Sequence, residues 1–418
     1  MPTAGRTEGL GLDAIRELMH VLGDPQESFR VIHVTGTNGK GSTSRYTSAM
    51  LAATGLSVGT YTSPNIERIN ERLAYDGRYI SDEDFARVIT LLADVEPLLT
   101  IRPGRFDLLT AAALVWFAEL GVDVAVVEVG MLGRFDSTNI VHADVAVITN
   151  IGKDHTDGAD GWWLHVASEK AGIIEPDSHV VLGDPMTDVR DVVDLEPRRD
   201  IWVAGTDFVV ESNLPAVGGR VIDLRTPHGF YEQLHIPFHG VHQGDNAATA
   251  IAAVEAFFDR SLEPEVITEA LESVELPARF EVVSREPTVI LDGAHNPPGA
   301  IAARRTLDSE FARLGSWVLV IGLLQGKDPV EMLEAIGADD FDAVIVTQPD
   351  WSRALPVAEL AAAAGELGIQ VEVVPNAVDA LRRAKAVTAD EDLVLVAGSL
   401  YVVGEVRAAA RSLDVDRG

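Results

Sequence analysis

The sequence predicts an α/β fold built on parallel sheets, and three observations carry that prediction. Short β-branched runs recur along the chain, several of them apolar throughout, as in parallel strands buried on both faces. Ala/Leu-rich segments with helical spacing lie between many of them. A glycine-rich, lysine-bearing stretch follows the first run, at the carboxyl edge where α/β sheets bind ligands.

Taken in order, the strand runs are Val31–Val34, Val124–Val129, Val145–Ile148, Val180–Leu182, Val289–Leu291, Val318–Ile321, Ala343–Val346, Val371–Val374 and Leu393–Val396. The helical segments are Ser44–Ala53, Leu108–Leu120, Asn246–Phe258, Val357–Leu367 and Asn376–Ala386. Residues 201–238 break the rhythm with short alternating runs around Gly218-Gly219 and Pro227-His228-Gly229, which predicts a small antiparallel β excursion. ESVELPARF (272–280) follows a helix and precedes a new βα series, so the domain boundary is placed there: residues 1–276 and 277–418.

Composition narrows the partners. The 418 residues are 47% hydrophobic and 23% charged, with a formal net charge of −32, which disfavours nucleic acid and anionic membrane. A phosphate site on such a chain must be made locally, from backbone N–H groups and a few cations. There is no cysteine, hence no disulfide, thiolate metal site or thiol nucleophile, which fits a cytoplasmic protein. Residues 1–9 have no apolar signal-peptide core, and no apolar run is long enough to suggest a membrane span.

The chemistry starts at VIHVTGTNGKGST (31–43). It departs from G-x-x-x-x-G-K-[ST], since Val34 takes the first glycine position and Gly41 separates Lys40 from Ser42. The physical parts remain: Thr37, Asn38, Gly39, Lys40, Gly41 and Ser42 offer turning backbone, one point charge and a helix N-terminus. A nucleoside triphosphate needs Mg2+, which prefers oxygen ligands. Glu128 ends the run VAVVE, and His155 in ITNIGKDHTDG (148–158) follows another strand end. Lys170 in SEKAGI has no evident reason to adjoin a metal, because an ammonium group repels Mg2+.

These stretches occur in order with YTSPNIERINERL (61–73), RFDLLTAAAL (105–114), VVEVGMLGRFDSTNIV (126–141), HGVHQGDNAATAIAA (239–253), ILDGAHNPPGA (290–300), VIGLLQGKDP (320–329) and AGSLYVVGEVR (397–407). Together they resemble the folylpolyglutamate synthase/dihydrofolate synthase family of the Mur ligase superfamily. The resemblance implies an N-terminal P-loop ATPase domain and a C-terminal Rossmann-like domain. It implies that ATP phosphorylates a carboxylate, either of dihydropteroate or of a reduced folate, and that L-glutamate displaces the phosphate to form an amide.

Roles carry over residue by residue. The loop Thr37–Lys40 would hold ATP phosphates; Ser63, Glu128 and His155 would hold Mg2+ at two sites; Lys170 matches a lysine that becomes carbamylated, which converts the cation into an anionic oxygen ligand. Asn246, Arg279 and Asp292 would contact ATP. His295 and Ser399 match positions near the incoming glutamate. Phe106, Asp107, Phe135, Asp136 and Ser137 match the pterin-side loops. A K+ requirement and a monomeric state are implied in the same way. Plainer readings stand beside these: a solvent-facing strand-end acid at Glu128, a surface lysine at Lys170, a linker ion pair at Arg279, a turn at Asp292–His295, a helix cap at Ser399, core rings at Phe106 and Phe135.

The chain also departs from the family. Asn65 stands where SPH is common, and Leu132 replaces a glycine of GLGGRLDATN, in a loop where φ > 0 is expected. Trp162-Trp163 is a lid contact or a packing anchor. Competing readings are a Mur-type amide ligase with another carboxylate acceptor, a nucleotide-binding relative without catalysis, and a plain P-loop NTPase or kinase.

Overall fold

The computed structural model describes residues 11–154 and 159–415. The chain divides into two compact units, one running up to Pro237 and resuming over Val241–Glu275, the other comprising Phe238–Gly240 and the chain from Leu276 onward.

In the first unit the strands are β1 (Arg30–Thr35), β2 (Val58–Tyr61), β3 (Leu73–Tyr75), β4 (Arg78–Tyr79), β5 (Val124–Glu128), β6 (Val145–Ile148), β7 (His179–Leu182), β8 (Asp200–Val203), β9 (Val209–Ala216), β10 (Gly219–Arg225) and β11 (Phe230–Ile236). The helices are α1 (Asp13–Val21), α2 (Lys40–Ala53), α3 (Asp82–Val95), α4 (Arg105–Leu120), α5 (Trp162–Ala171), α6 (Thr187–Val193), α7 (Val241–Phe258) and α8 (Pro264–Ser273). Eight strands form one sheet in the order β4-β3-β2-β5-β1-β6-β7-β8. β1 lies inside it, parallel to β5 on one side and β6 on the other, with Val34 opposite both Glu128 and Val147. The connection from β5 to β6 passes over β1, so the carboxyl ends of these three strands meet where strand order reverses, the usual ligand position in such sheets.

Burial explains the apolar runs. Val31, Ile32 and Val34 of β1 and Val124–Val127 of β5 are wholly enclosed. On one side α4 packs Leu109, Ala113 and Phe117 against Val31, Tyr61 and Val127. The sheet admits the Phe117 ring only because residue 59 is glycine: a Cβ there would lie 2.7 Å from it.

The antiparallel excursion is smaller than 201–238. Ile201–Val203 belongs to β8, which pairs parallel with β7 at the edge of the main sheet, and only β9–β11 (209–236) form the separate antiparallel sheet. Burial of Trp202 and Val203 is what draws this run into the larger sheet. Trp163 donates its indole N–H to Asp188, tying α5 to α6, which gives that residue a packing role.

The second unit has strands β12 (Glu281–Arg285), β13 (Thr288–Leu291), β14 (Trp317–Ile321), β15 (Ala343–Gln348), β16 (Val371–Asn376) and β17 (Leu393–Ala397). Its helices are α9 (Pro297–Glu310), α10 (Pro329–Ile336), α11 (Val357–Glu366), α12 (Ala377–Val387) and α13 (Leu400–Val415). The sheet order is β12-β13-β17-β14-β15-β16, parallel except for β12, around a core that includes Leu319, Ile321, Leu333 and Leu395. No described helix is long and apolar enough to cross a membrane.

Candidate active site

The phosphate loop spans the gap between β1 and α2. Gly39 caps α2 with φ +82°, and a Cβ there would stand 2.2 Å from Asn246 Oδ1, so both conformation and space require glycine. The loop takes its shape from the segment after β6. Asn38 N–H donates to Asn150 Oδ1 (3.0 Å), while Asn150 Nδ2 (3.0 Å) and Thr149 Oγ1 (2.6 Å) donate to the Asn38 carbonyl. Thr37 N–H donates to the Asn150 carbonyl, and Gly152 N–H donates to Thr37 Oγ1 (2.9 Å). The first turn of α2 then presents N–H groups that have no intrahelical acceptor. Asn246, on α7, is oriented by Gln243, whose Oε1 accepts from Asn246 Nδ2 (3.3 Å) and from the Tyr46 hydroxyl (3.4 Å).

Two lysines converge on this loop. Lys40 Nζ donates to the carbonyls of Gly36 (3.0 Å) and Thr37 (3.1 Å), and Lys170 Nζ donates to the same Gly36 carbonyl at 2.7 Å. Lys170 is no surface lysine: it is 4% exposed. Burial, reinforced by the nearby charge of Lys40, pushes its pKa well down, with Asp154 and Asp136 acting in the opposite direction. Glu128 is likewise buried rather than solvent-facing, and its Oε2 accepts from Ser63 N–H (2.9 Å). An ideal Cβ on Gly41 would lie 3.6 Å from that oxygen, so the carboxylate abuts the first turn of α2. Glu128 offers the hard oxygen donor a divalent cation prefers. An ammonium at Lys170 does not fit such an ion; a carbamate does. His155 lies outside the described residues.

The loop between β5 and β6 forms the next wall. Leu132 has φ +59°, the left-handed conformation expected at that position. Its carbonyl accepts from Thr35 Oγ1 (2.5 Å). Asp136, buried, accepts from Met131 N–H (2.8 Å), Thr138 N–H (3.0 Å) and Thr138 Oγ1 (2.6 Å). Burial raises its pKa, and the hydrogen bonds from Thr138, Met131 and Gly130 counter that shift. Asp107 Oδ1 accepts from Ser137 Oγ (2.5 Å) and its Oδ2 from Gly104 N–H (2.7 Å), at the start of α4. The Phe106 ring lies over Gly130 and 6.2 Å from the Tyr61 ring, whereas Phe135 is 38% exposed and is not a core residue. The structure thus joins Phe106-Asp107 to residues 135–137. Arg134 N–H donates to the Glu169 carbonyl (2.8 Å), so the loop also rests on the turn of α5 that carries Lys170.

In the second unit Arg279 sits between Ala278 (φ +58°) and Phe280 (φ +49°). Asp292 holds this turn: its Oδ2 accepts from Phe280 N–H (2.9 Å) and its Oδ1 from Ala294 N–H (2.8 Å). Burial pushes its pKa up, with the Arg279 charge acting against that. His295 Nδ1 lies 2.8 Å from the Gly293 carbonyl, which can only accept, so Nδ1 is the donor in this contact. Ser399 Oγ accepts from Tyr401 N–H (3.2 Å), capping α13.

Several residues at this site were not evident from the sequence: Asn150 and Thr149, which template the phosphate loop, and His33, Thr35 and Thr138, which hold the β5–β6 loop. The signal at hand was that His33 and Thr35 interrupt an otherwise apolar buried strand.

Residues 106–254 match the Mur ligase middle domain, and residues 278–400 match the Mur ligase glutamate ligase domain. Fold and site therefore define a Mur-type ligase, with an N-terminal P-loop-type domain and a C-terminal Rossmann-like domain. The chain is 40% identical over 382 residues to the dihydrofolate synthase/folylpolyglutamate synthase of Mycobacterium tuberculosis, covering 85% of this chain and 77% of that one. It is 33% identical to the Bacillus subtilis enzyme of the same name, covering 95% and 94%. Among solved structures, Mycobacterium tuberculosis folylpolyglutamate synthase complexed with ADP matches with a TM-score of 0.91 and 36% identity over 96% of this chain and 94% of that one. The chain belongs to the folylpolyglutamate synthase/dihydrofolate synthase family: it is an ATP-dependent ligase that forms carbon–nitrogen bonds to glutamate in folate metabolism.

Proposed function

We propose that this chain adds L-glutamate both to dihydropteroate and to the γ-carboxylate of reduced folates, working as a cytoplasmic monomer. The observation that carries the catalytic part is the meeting of Lys40 and Lys170 on one carbonyl of the phosphate loop, beside the buried carboxylate of Glu128. Two relatives at 33% and 40% identity carry both activities in their names, which supports the dual acceptor range.

In this reading the loop Thr37–Ser42 and Asn246 hold the ATP phosphates, and Lys40 leaves its carbonyl partners to follow the charge of the transferring phosphoryl group. Glu128, with Ser63 and His155, would hold Mg2+, and the ion would neutralise phosphate charge. Lys170, whose ammonium form burial disfavours, would add CO2 at Nζ and release one proton, leaving a carbamate whose oxygen would help to hold the same ion. Residues Phe106, Asp107, Phe135, Asp136 and Ser137 orient the acceptor. Its carboxylate oxygen attacks the γ-phosphorus and ADP departs. Arg279 and Asp292 serve the nucleotide; His295 and Ser399 serve the incoming glutamate. The glutamate amine attacks the acyl carbon, loses a proton, and the C–O bond to phosphate breaks as the amide forms. A carboxylate is a poor electrophile until one oxygen becomes a good leaving group, which is what the first step provides.

The test is ADP release with Mg2+, ATP and L-glutamate, with dihydropteroate in one tube and tetrahydrofolate in another. Turnover in both establishes the dual range; turnover in one assigns a single activity. Silence in both with ATP still bound would favour another carboxylate acceptor. Replacing K+ by Na+ in the productive tube tests a monovalent-cation requirement, and size-exclusion with light scattering tests the monomer.

A further inference from the structure

Histidine is an odd choice for position 33. The residue lies at the middle of β1, hydrogen-bonded in register between Val127 of β5 and Ala146 of β6, and is wholly buried. Its neighbours Val31, Ile32 and Val34 show what the core accepts there. Burial drives its pKa down to about 3, so the ring is neutral under any working condition. A neutral ring in such a place must still satisfy two nitrogens. Among the described residues only one has a partner: Nε2 lies 2.9 Å from Thr138 Oγ1, while Nδ1 meets none. An unmet buried polar atom costs about 1–3 kcal/mol, so an aliphatic residue would serve the fold better.

The hydrogen-bond inventory fixes the direction of the one contact. A threonine hydroxyl has a single proton, and that of Thr138 goes to Asp136 Oδ1 at 2.6 Å. Its lone pair must then accept from His33, so Nε2 carries the ring proton and Nδ1 is bare. The order of donation is His33 to Thr138 to Asp136. Strand periodicity puts His33 and Thr35 on one face of β1, and both grip the same loop: Thr35 takes the Leu132 carbonyl and His33 takes Thr138.

We infer that His33 is a positioning residue for acceptor binding: by donating to Thr138 it obliges that hydroxyl to donate to Asp136, and so fixes the Asp136 carboxylate as an oriented acceptor for N–H groups of the pterin-type ring. The inference rests on the reading of residues 130–137 as acceptor-side. Without the His33 proton the Thr138 hydroxyl is free to turn away, and Asp136 loses one of the bonds that set its plane. Hydrogen bonds to the other substrates are untouched.

The experiment compares His33→Leu, His33→Gln and Asp136→Asn, measuring KM separately for acceptor, ATP and glutamate, with thermal melts alongside. Glutamine places an amide N–H close to the position of Nε2; leucine fills the space without a donor. Expected is a rise of about tenfold in acceptor KM for His33→Leu, the effect of one buried hydrogen bond, with ATP and glutamate KM within about twofold and with His33→Gln recovering most of the loss. The pair His33→Leu/Thr138→Val should be no worse than its worse single member, because both act through one chain of donors. If His33→Leu leaves acceptor KM unchanged while Asp136→Asn raises it, the relay is wrong and the acceptor loop stands. If Asp136→Asn also leaves it unchanged, the acceptor-loop reading falls and takes the relay with it. A parallel rise in all three KM values, or glutamine no better than leucine, shows a purely structural histidine and overturns the inference. Should His33→Leu fail to fold, His33→Gln against Thr138→Val decides the matter by the same KM comparison.

Discussion

Gly39→Ala probes the phosphate loop at a point where the structure allows the cost to be worked out. The residue has φ +82°, which costs an L-amino acid about 1–2 kcal/mol relative to glycine. Its new methyl would stand 2.2 Å from Asn246 Oδ1, far inside contact distance, so the amide must swing away. That swing breaks the bond to Gln243, a further ~0.5–1.5 kcal/mol. The folded state should therefore lose about 2–3 kcal/mol. On the proposed roles of Asn246 and the loop, nucleotide affinity should fall as well, by the loss of one or two hydrogen bonds to phosphate, roughly 10- to 100-fold. Gly41→Ala is the internal comparison. It lies within α2, its methyl would meet Glu128 oxygens at an ordinary 3.6–3.7 Å, and alanine favours a helix over glycine by up to ~1 kcal/mol. It should fold at least as well as the parent. The assay is calorimetric titration with Mg2+ and a non-hydrolysable ATP analogue, with urea melts in parallel. Adding Asn246→Ala to Gly39→Ala should recover part of the stability and none of the affinity. Parent-like affinity in Gly39→Ala, or equal damage from the two glycine changes, would refute the reasoning.

Other expectations follow from the same geometry. Lys170→Met should keep nucleotide binding within a few fold while lowering turnover by at least about a hundredfold, since it removes the nitrogen on which the carbamate is proposed to form; bicarbonate should stimulate CO2-depleted parent enzyme and leave the variant unmoved. Parent-like turnover in Lys170→Met would remove the carbamate from the mechanism. His33 gives a pH signature: with a folded pKa of about 3 against an ordinary 6.5, the unfolded chain takes up a proton that the folded one refuses, so this stability is complete above about pH 6.5 and drains away toward pH 3. The full span is on the order of 5 kcal/mol, and urea melts between pH 7 and 4 should show a shallower decline in His33→Gln; identical slopes would contradict it. Leu132→Gly should change stability by less than about 1 kcal/mol, relief of left-handed strain being offset by unfolded-chain entropy, and a loss above ~2 kcal/mol on melting would show that the leucine side chain matters more than its backbone. Phe117→Ala should cost about 3–5 kcal/mol in the same melts, because the ring fills the space that Gly59 leaves open.

What could be read from the sequence was whatever leaves a local trace. Strand runs such as Val124–Glu128 are apolar because both faces are covered, and a glycine-rich turn with one lysine after such a run is hard to mistake. The left-handed backbone at Leu132 was legible for the same reason: a glycine-type position keeps its φ even when occupied by leucine. Reading Ile201–Val203 as part of the antiparallel excursion failed because a four-residue strand says nothing about its partner; burial of Trp202 decides it. The supports of the site were hidden for a different reason. Asn150 touches Asn38 across 112 residues and His33 touches Thr138 across 105, and no local pattern encodes a contact at that separation. Lys170 is the intermediate case, since the motif SEKAGI around it is legible but its helix and its burial, and hence its depressed pKa, belong to the folded structure.

Strand β1 ends in the phosphate loop and, through Thr35 and His33, also carries the β5–β6 loop on one face. This has a consequence for protein engineering. Transplanting residues 130–137 from a relative with another acceptor preference would graft a loop onto a strand whose hydroxyl and imidazole expect different partners. The exchangeable module is discontinuous: the loop, Thr138 behind it, and alternate positions of a strand some hundred residues earlier. Library designs that vary the loop alone will mostly sample misfitted supports, whereas covarying positions 33, 35 and 138 changes the loop and its supports together and leaves Lys40 and Lys170 in place.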